Sequence, residues 1–145
     1  MSNLLLTQGE VEGKINSNFT KFYADLFGHG PKHIQVNMLP LSAVIVTQNT
    51  FTAAELQIMS PAGFHDDSGR QMFKDMRSRI ILANRASLIK IIEEATSISV
   101  TCLHHDMSAL TGEEAFVFSL QDKPDYRANH NGNGHAKGRF VRSFK

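Results

Sequence analysis

His104, His105 and Asp106 stand in succession, and of all the residues in this 145-residue chain they are the best equipped for acid–base or metal chemistry. Imidazole and carboxylate together can relay a proton or hold a divalent ion. Successive side chains of a strand point to opposite faces, so only one of the two histidines can readily share a site with Asp106. A metal centre needs three or four ligands, and the others would have to come from His29, His33 or His65, at spacings that form no metal motif. The expectation is no metal and no cofactor, with a strand-end histidine bonded to a nearby loop carbonyl or carboxylate. Downstream, Asp106, Ser108, Thr111 and Gly112 lie in HDMSALTGE, where Asp and Ser suit bonds to their own backbone and Gly suits a positive φ. Two readings stand: a hairpin loop that caps itself, or a ligand or partner loop running from His104 to Glu113.

Three other groups invite chemistry and are read as structural. Cys102 has the spacing of a thiol–imidazole pair with His104, but it falls on an apolar strand face with no identifiable oxyanion donor or orienting residue. Gly28, Gly30 and Pro31 in GHGP precede a strand, whereas a phosphate cradle follows one and opens a helix. Arg70, Lys74, Arg77, Arg79 and Arg85 form a basic cluster, with 70, 74 and 77 sharing a helical face. Without a basic body or an aromatic platform, that cluster reads as a solvated helix face, and nucleic-acid binding is disfavoured.

The overall charge supports this. The net +1 divides at Leu120: residues 1–120 carry nine Lys or Arg against twelve Asp or Glu, a balance of −3, while residues 121–145 carry six against two, a balance of +4. An acidic body is joined to a basic tail. The chain length suits one core, no apolar run approaches the roughly 20 residues of a membrane span, and no secretory signal is evident. With one cysteine there is no intrachain disulfide. A cytoplasmic protein is expected.

Periodicity then supplies the elements. Val11, Ile15, Phe19, Phe22, Tyr23 and Leu26 recur at helical spacing, Thr7 and Glu10 make a capping box, and GHGP ends the helix. Ile34, Val36 and Met38 alternate with polar residues, and SAVIVT (42–47) follows closely enough for an antiparallel hairpin. Thr52 and Glu55 cap a short helix, and Ser68 with Gln71 opens a helical pattern to about Thr96 that either bends near Ile80 to Leu82 or buries two faces. Two-sided burial favours a homodimer through this long central helix. Residues 97–104 and 115–120 alternate again as a second hairpin around a loop at 107–114. The expected fold is α+β: two β-hairpins in a largely antiparallel four-stranded sheet, with the N-terminal and central helices on one face.

The helix ending in GHGP, the strand pair leading to FTAAE, the segment IIEEATSISV and the stretch LHHDMSALTGEEAFVFSL together resemble the MpsC-like family, a bacterial family named for a Na⁺-translocating membrane-potential-generating system. The resemblance runs over roughly residues 8–120 and is most specific at Leu103, His104, Asp106, Ser108, Thr111, Gly112 and Glu113. It implies a link to inorganic-carbon or cation uptake and membrane energisation. It carries over no catalytic residue, only a candidate surface: Gly28, Gly30, Pro31, His104, Asp106, Ser108 and Thr111. The connection SPAGFHDDSG and the Asn/Gly/His-rich tail depart from the pattern.

The domain is therefore expected to be residues 1–120 and the flexible basic tail residues 121–145. In that tail Arg139, Phe140, Arg142 and Phe144 alternate charge with apolar bulk in RFVRSFK, a candidate docking peptide. The expected function is non-enzymatic: an accessory or regulatory protein that binds a protein partner such as a membrane transport assembly. The alternatives are a small-molecule or anion sensor using the 104–113 loop, an enzyme centred on His104 and Asp106, and a nucleic-acid binder.

Overall fold

The computed structural model describes residues 5–59 and 68–128. The expected docking residues Arg139, Phe140, Arg142 and Phe144 lie outside them, as does His65. The elements are α1 (Gln8–Phe27), β1 (His33–Leu39), β2 (Ser42–Gln48), α2 (Ala53–Met59), α3 (Ser68–Ala83), α4 (Arg85–Thr96), β3 (Val100–Met107) and β4 (Glu113–Leu120). The four strands form one antiparallel sheet in the order β1-β2-β4-β3, the expected α+β fold.

Local sequence accounts for most of this. Thr7 Oγ1 accepts from the Glu10 N–H and the Glu10 carboxylate accepts from the Thr7 N–H, so two otherwise unpaired groups of the first turn are satisfied reciprocally. The α1 stripe of Val11, Ile15, Phe19 and Tyr23 then faces the sheet. There it meets Ala43 and Ile45 of β2 and Phe116, Phe118 and Leu120 of β4, with Ile81, Leu88 and Ile92 closing the core from the other helices. Phe19 packs edge-on against Phe116 with ring centroids 5.2 Å apart, an arrangement favoured by the aromatic quadrupole. A smaller cluster of Met59, Phe73 and Met107 joins α2 and α3 to the end of β3.

One open reading is resolved, in favour of the bend, and one expectation is revised. The long central helix is divided at Asn84, whose side-chain amide donates to the Ile80 carbonyl at 2.8 Å while its backbone leaves helical geometry (φ −108°, ψ 17°). A short amide side chain competes here with the backbone ladder, and α4 restarts beyond it. The folded chain also does not stop at Leu120. The Arg127 N–H donates to the Leu6 carbonyl, its guanidinium bonds Glu10, and Tyr126 packs against the main core.

The buried residues of the sheet all come from its helix-bearing face. On the opposite face Val44, Val46, Ala115 and Val117 are only half-buried, on the two central strands, with Val44 paired to Val117 and Val46 to Ala115. Among the described residues, no helix is long and apolar enough to cross a membrane.

Candidate functional site

Period-2 alternation in β4 places Glu114 in phase with Phe116, Phe118 and Leu120, on the buried face. A carboxylate there must be paired, because isolated burial of a charge costs far more than the core gains from its side chain. Four other elements supply the partners. Arg77, one turn from both Phe73 and Ile81 on the buried stripe of α3, grips Glu114 with two nitrogens at 3.0 and 3.2 Å. His105 Nε2 lies 2.6 Å from the second oxygen of the carboxylate. A carboxylate can only accept, so this ring nitrogen carries the proton. Tyr23 of α1 donates its hydroxyl to Glu114, and Asn49, just past β2, adds its amide at 3.1 Å. The Tyr23 oxygen also lies 3.1 Å from Thr47 Oγ1.

The electrostatics follow from these contacts. Burial alone would raise the Glu114 pKa, but hydrogen bonds from His105 and Arg77, the Arg77 charge and the Tyr23 hydroxyl outweigh it and bring it to about 2. Burial, and then the negative charge of Glu114, push the Tyr23 phenol far above its ordinary range, so it stays a donor. Arg77 also lies over the Phe27 ring, 3.8 Å from its centre, a cation–π contact strengthened by the burial of the arginine. The whole is a closed, charge-balanced lock.

The predicted site residues lie around this lock. β3 runs on to Met107 and β4 starts at Glu113, so the expected 107–114 loop shortens to 108–112 and His104 and Asp106 belong to a strand. His104 is exposed on the outer face, with Nε2 3.3 Å from Cys102 Sγ; His105, not His104, is the buried histidine. Asp106 pairs with Lys74 at 3.4 Å, and the Met107 N–H, with Lys74 assisting, holds its carboxyl below the usual range. Ser108 Oγ accepts the Thr111 N–H and Thr111 Oγ1 accepts the Glu113 N–H, so both hydroxyls serve the loop itself.

Gly112 has φ +80°, and its carbonyl accepts both the backbone and side-chain N–H groups of Asn49. A Cβ there would lie 3.1 Å from the Asn49 carbonyl and 3.1 Å from the Phe51 ring. Gly112→Ala is accordingly expected to cost about 1–3 kcal/mol through strain and crowding. Thermal melting checks this, and an unchanged melting temperature would refute it.

At the other loop, Gly28 caps α1 at φ +87° with its N–H on the Ala24 carbonyl, and Gly30 lies so close to Thr20 that a Cβ would meet its methyl at 3.3 Å. Pro31 follows, and the Lys32 N–H donates to the Gln48 carbonyl. The register His33 to Gln48 to Glu113 brings this loop and the 108–112 loop to the same end of the sheet. Beside the second loop, a cleft of about 460 Å³ opens against α3, lined in part by Arg70, Lys74, Asp106, Ser108 and Glu113. The cleft takes in Asp106 and Ser108; His104, Thr111 and Gly112 do not line it.

The basic face expected along α3 is broken up: Arg77 is buried, while Lys74 turns to Asp106. The central carboxylate, Glu114, was not among the expected site residues. Its signal was nonetheless present, as an acidic residue in phase with three apolar strand positions and an arginine in phase with Phe73 and Ile81. Among the described residues, no group of three or more His, Cys, Asp or Glu is arranged to hold a metal.

Residues 7–122 match the family model described as Na⁺-translocating membrane potential-generating system (MpsC). Comparison with curated proteins and with solved structures gives no match.

Proposed function

Because the chain belongs to the MpsC family over most of its length, we propose that it is a non-enzymatic accessory protein of a cation-transporting, membrane-energising system, which it joins by docking its outer sheet face on a partner protein. The observation carrying this reading is the Val44, Val46, Ala115 and Val117 patch, half-buried on the two central strands and flanked by exposed Gln35 and His104. An apolar centre with a polar rim is the usual anatomy of a protein–protein contact. The non-enzymatic part is supported by how the reactive groups are used. Glu114, His105 and Tyr23 hold the core together, and Ser108 and Thr111 hold their own loop. A cytoplasmic location beside the membrane suits this role.

The test is affinity capture of the full chain from native membranes, comparing the wild type with Val44→Lys and Val117→Lys. A charge at the centre of the patch is expected to weaken capture about tenfold or more, with the melting temperature little changed because both side chains are already partly exposed. Equal capture by all three proteins, or no specific capture by the wild type, would defeat the proposal.

A second reading has its own support. The cleft beside α3 sets Lys74 and Arg70 against Asp106 and Glu113, charges suited to a small polar ligand. A ligand that raises the melting temperature of the wild type, with the rise lost in Lys74→Ala, would favour that reading.

A further inference from the structure

The face of α3 turned away from the core carries Met72, Met76 and Leu82, which are 55%, 44% and 60% exposed. Exposed Asp75 and Arg79 lie among them, and Met72, Asp75, Met76 and Arg79 line one shallow groove. Four of these positions are arranged symmetrically about Arg77, which itself points to the opposite, buried side: Met72 and Leu82 are each five residues from it, Asp75 and Arg79 each two. Such a pattern is self-complementary under a two-fold axis, the symmetry of most homodimers. Asp75 and Arg79 also have the spacing of an ion pair within the helix. Even so, the amide of Gln71 donates to Asp75, and Arg79 makes no ion pair or hydrogen bond among the described residues.

We propose that α3 packs antiparallel on α3 of a second copy of this chain, about a two-fold axis level with Arg77. Asp75 of each copy then faces Arg79 of the other, Met72 faces Leu82, and each Met76 flanks the seam beside Ser78 of the other copy. The helix is about 24 Å long and offers less than the roughly 800 Å² per partner of a standard interface, so the dimer is weak and concentration-dependent. Methionine suits such a seam, because its flexible thioether fills gaps between two approaching ridges. The groove shares no lining residue with the Val44, Val46, Ala115 and Val117 patch, so this pairing and partner docking are tested by different variants.

The experiment is sedimentation velocity on the full chain, with the wild type, Asp75→Arg, Arg79→Asp and an equimolar mixture of the two variants, at up to about 100 μM. The wild type is expected to dimerise. Each variant alone sets like charges opposite one another and should raise the dissociation constant about tenfold or more. In the mixture every 75–79 contact again pairs opposite charges, and dimerisation should return. Both substitutions are at exposed positions, and an unchanged melting temperature confirms that each variant is folded. A third variant, Met72→Asp, sets a charge against Leu82 of the other copy and should stay monomeric. A monomeric wild type, variants that dimerise like the wild type, or a mixture that fails to recover would each overturn the proposal.

Discussion

Glu114→Ala is expected to lower the folding stability of this protein by about 3–5 kcal/mol, the cost of removing one partner from a buried ion pair. The loss comes less from the missing attraction than from what is left behind. Arg77 remains almost wholly buried with its charge uncompensated, and His105, Tyr23 and Asn49 each lose an acceptor at once. Domains of this kind are stable by only about 5–15 kcal/mol, so much of the total is at stake. Glu114→Gln keeps the volume and one acceptor and should lie between Ala and the wild type. Arg77→Met should be similarly harmful, since it strands the carboxylate and removes the stack on Phe27. The double variant Glu114→Gln with Arg77→Met should cost less than the two single losses combined, because neither charge is then stranded. Urea denaturation of the wild type and these four variants measures this. A loss below about 1 kcal/mol for Glu114→Ala, or strict additivity in the cycle, would mean that the cluster is not the lock described above.

Acid should open the same lock. Glu114 titrates near 2 in the folded protein against an ordinary 4.5. A carboxyl whose pKa is depressed by folding contributes its full stabilisation above the unfolded value and loses it as the pH falls toward the folded one. The Glu114 contribution, on the order of 3 kcal/mol, is therefore expected to fade from about pH 4.5 downward and to be largely lost near pH 2. Glu10 and Asp106 are shifted in the same direction, but both are solvent-exposed and their pairs are screened. The acid limb should accordingly be much shallower in Glu114→Gln. Urea midpoints measured between pH 6 and 3 decide the matter, and parallel curves for the two proteins would sink the assignment to Glu114.

Where the sequence was legible, the information was local. The Thr7–Glu10 and Thr52–Glu55 boxes each close within three residues, and both form. The α1 stripe and the alternation in β1, β2 and β4 state which face is buried, because a helix or strand repeats its orientation over a fixed few residues. Where it misled, a residue's type was read without its neighbours in space. By residue type alone Arg77 belongs with Arg70 and Lys74 on a solvated face, but its phase with Phe73 and Ile81 sends it inward. His104 stands next to the loop, yet the register of β3 on β4 turns His105 to Glu114 and leaves His104 outside. The helical pattern broadens near Ile80 to Leu82, and the break falls just beyond it at Asn84, whose amide takes up the Ile80 carbonyl.

By itself, then, the sequence determined the elements, their caps, their buried faces and the antiparallel α+β class, since hydrogen bonds and periodicity within each segment are enough for that. Only the tertiary structure decided the polar centre. Tyr23 and Glu114 are 91 positions apart, and the carboxylate becomes tolerable in the core only when α1, α3, β3 and the end of β2 deliver their donors together. No one segment can compensate that buried charge alone, so the phase of Glu114 on β4 and of Arg77 on α3 marks two inward charges but not their pairing.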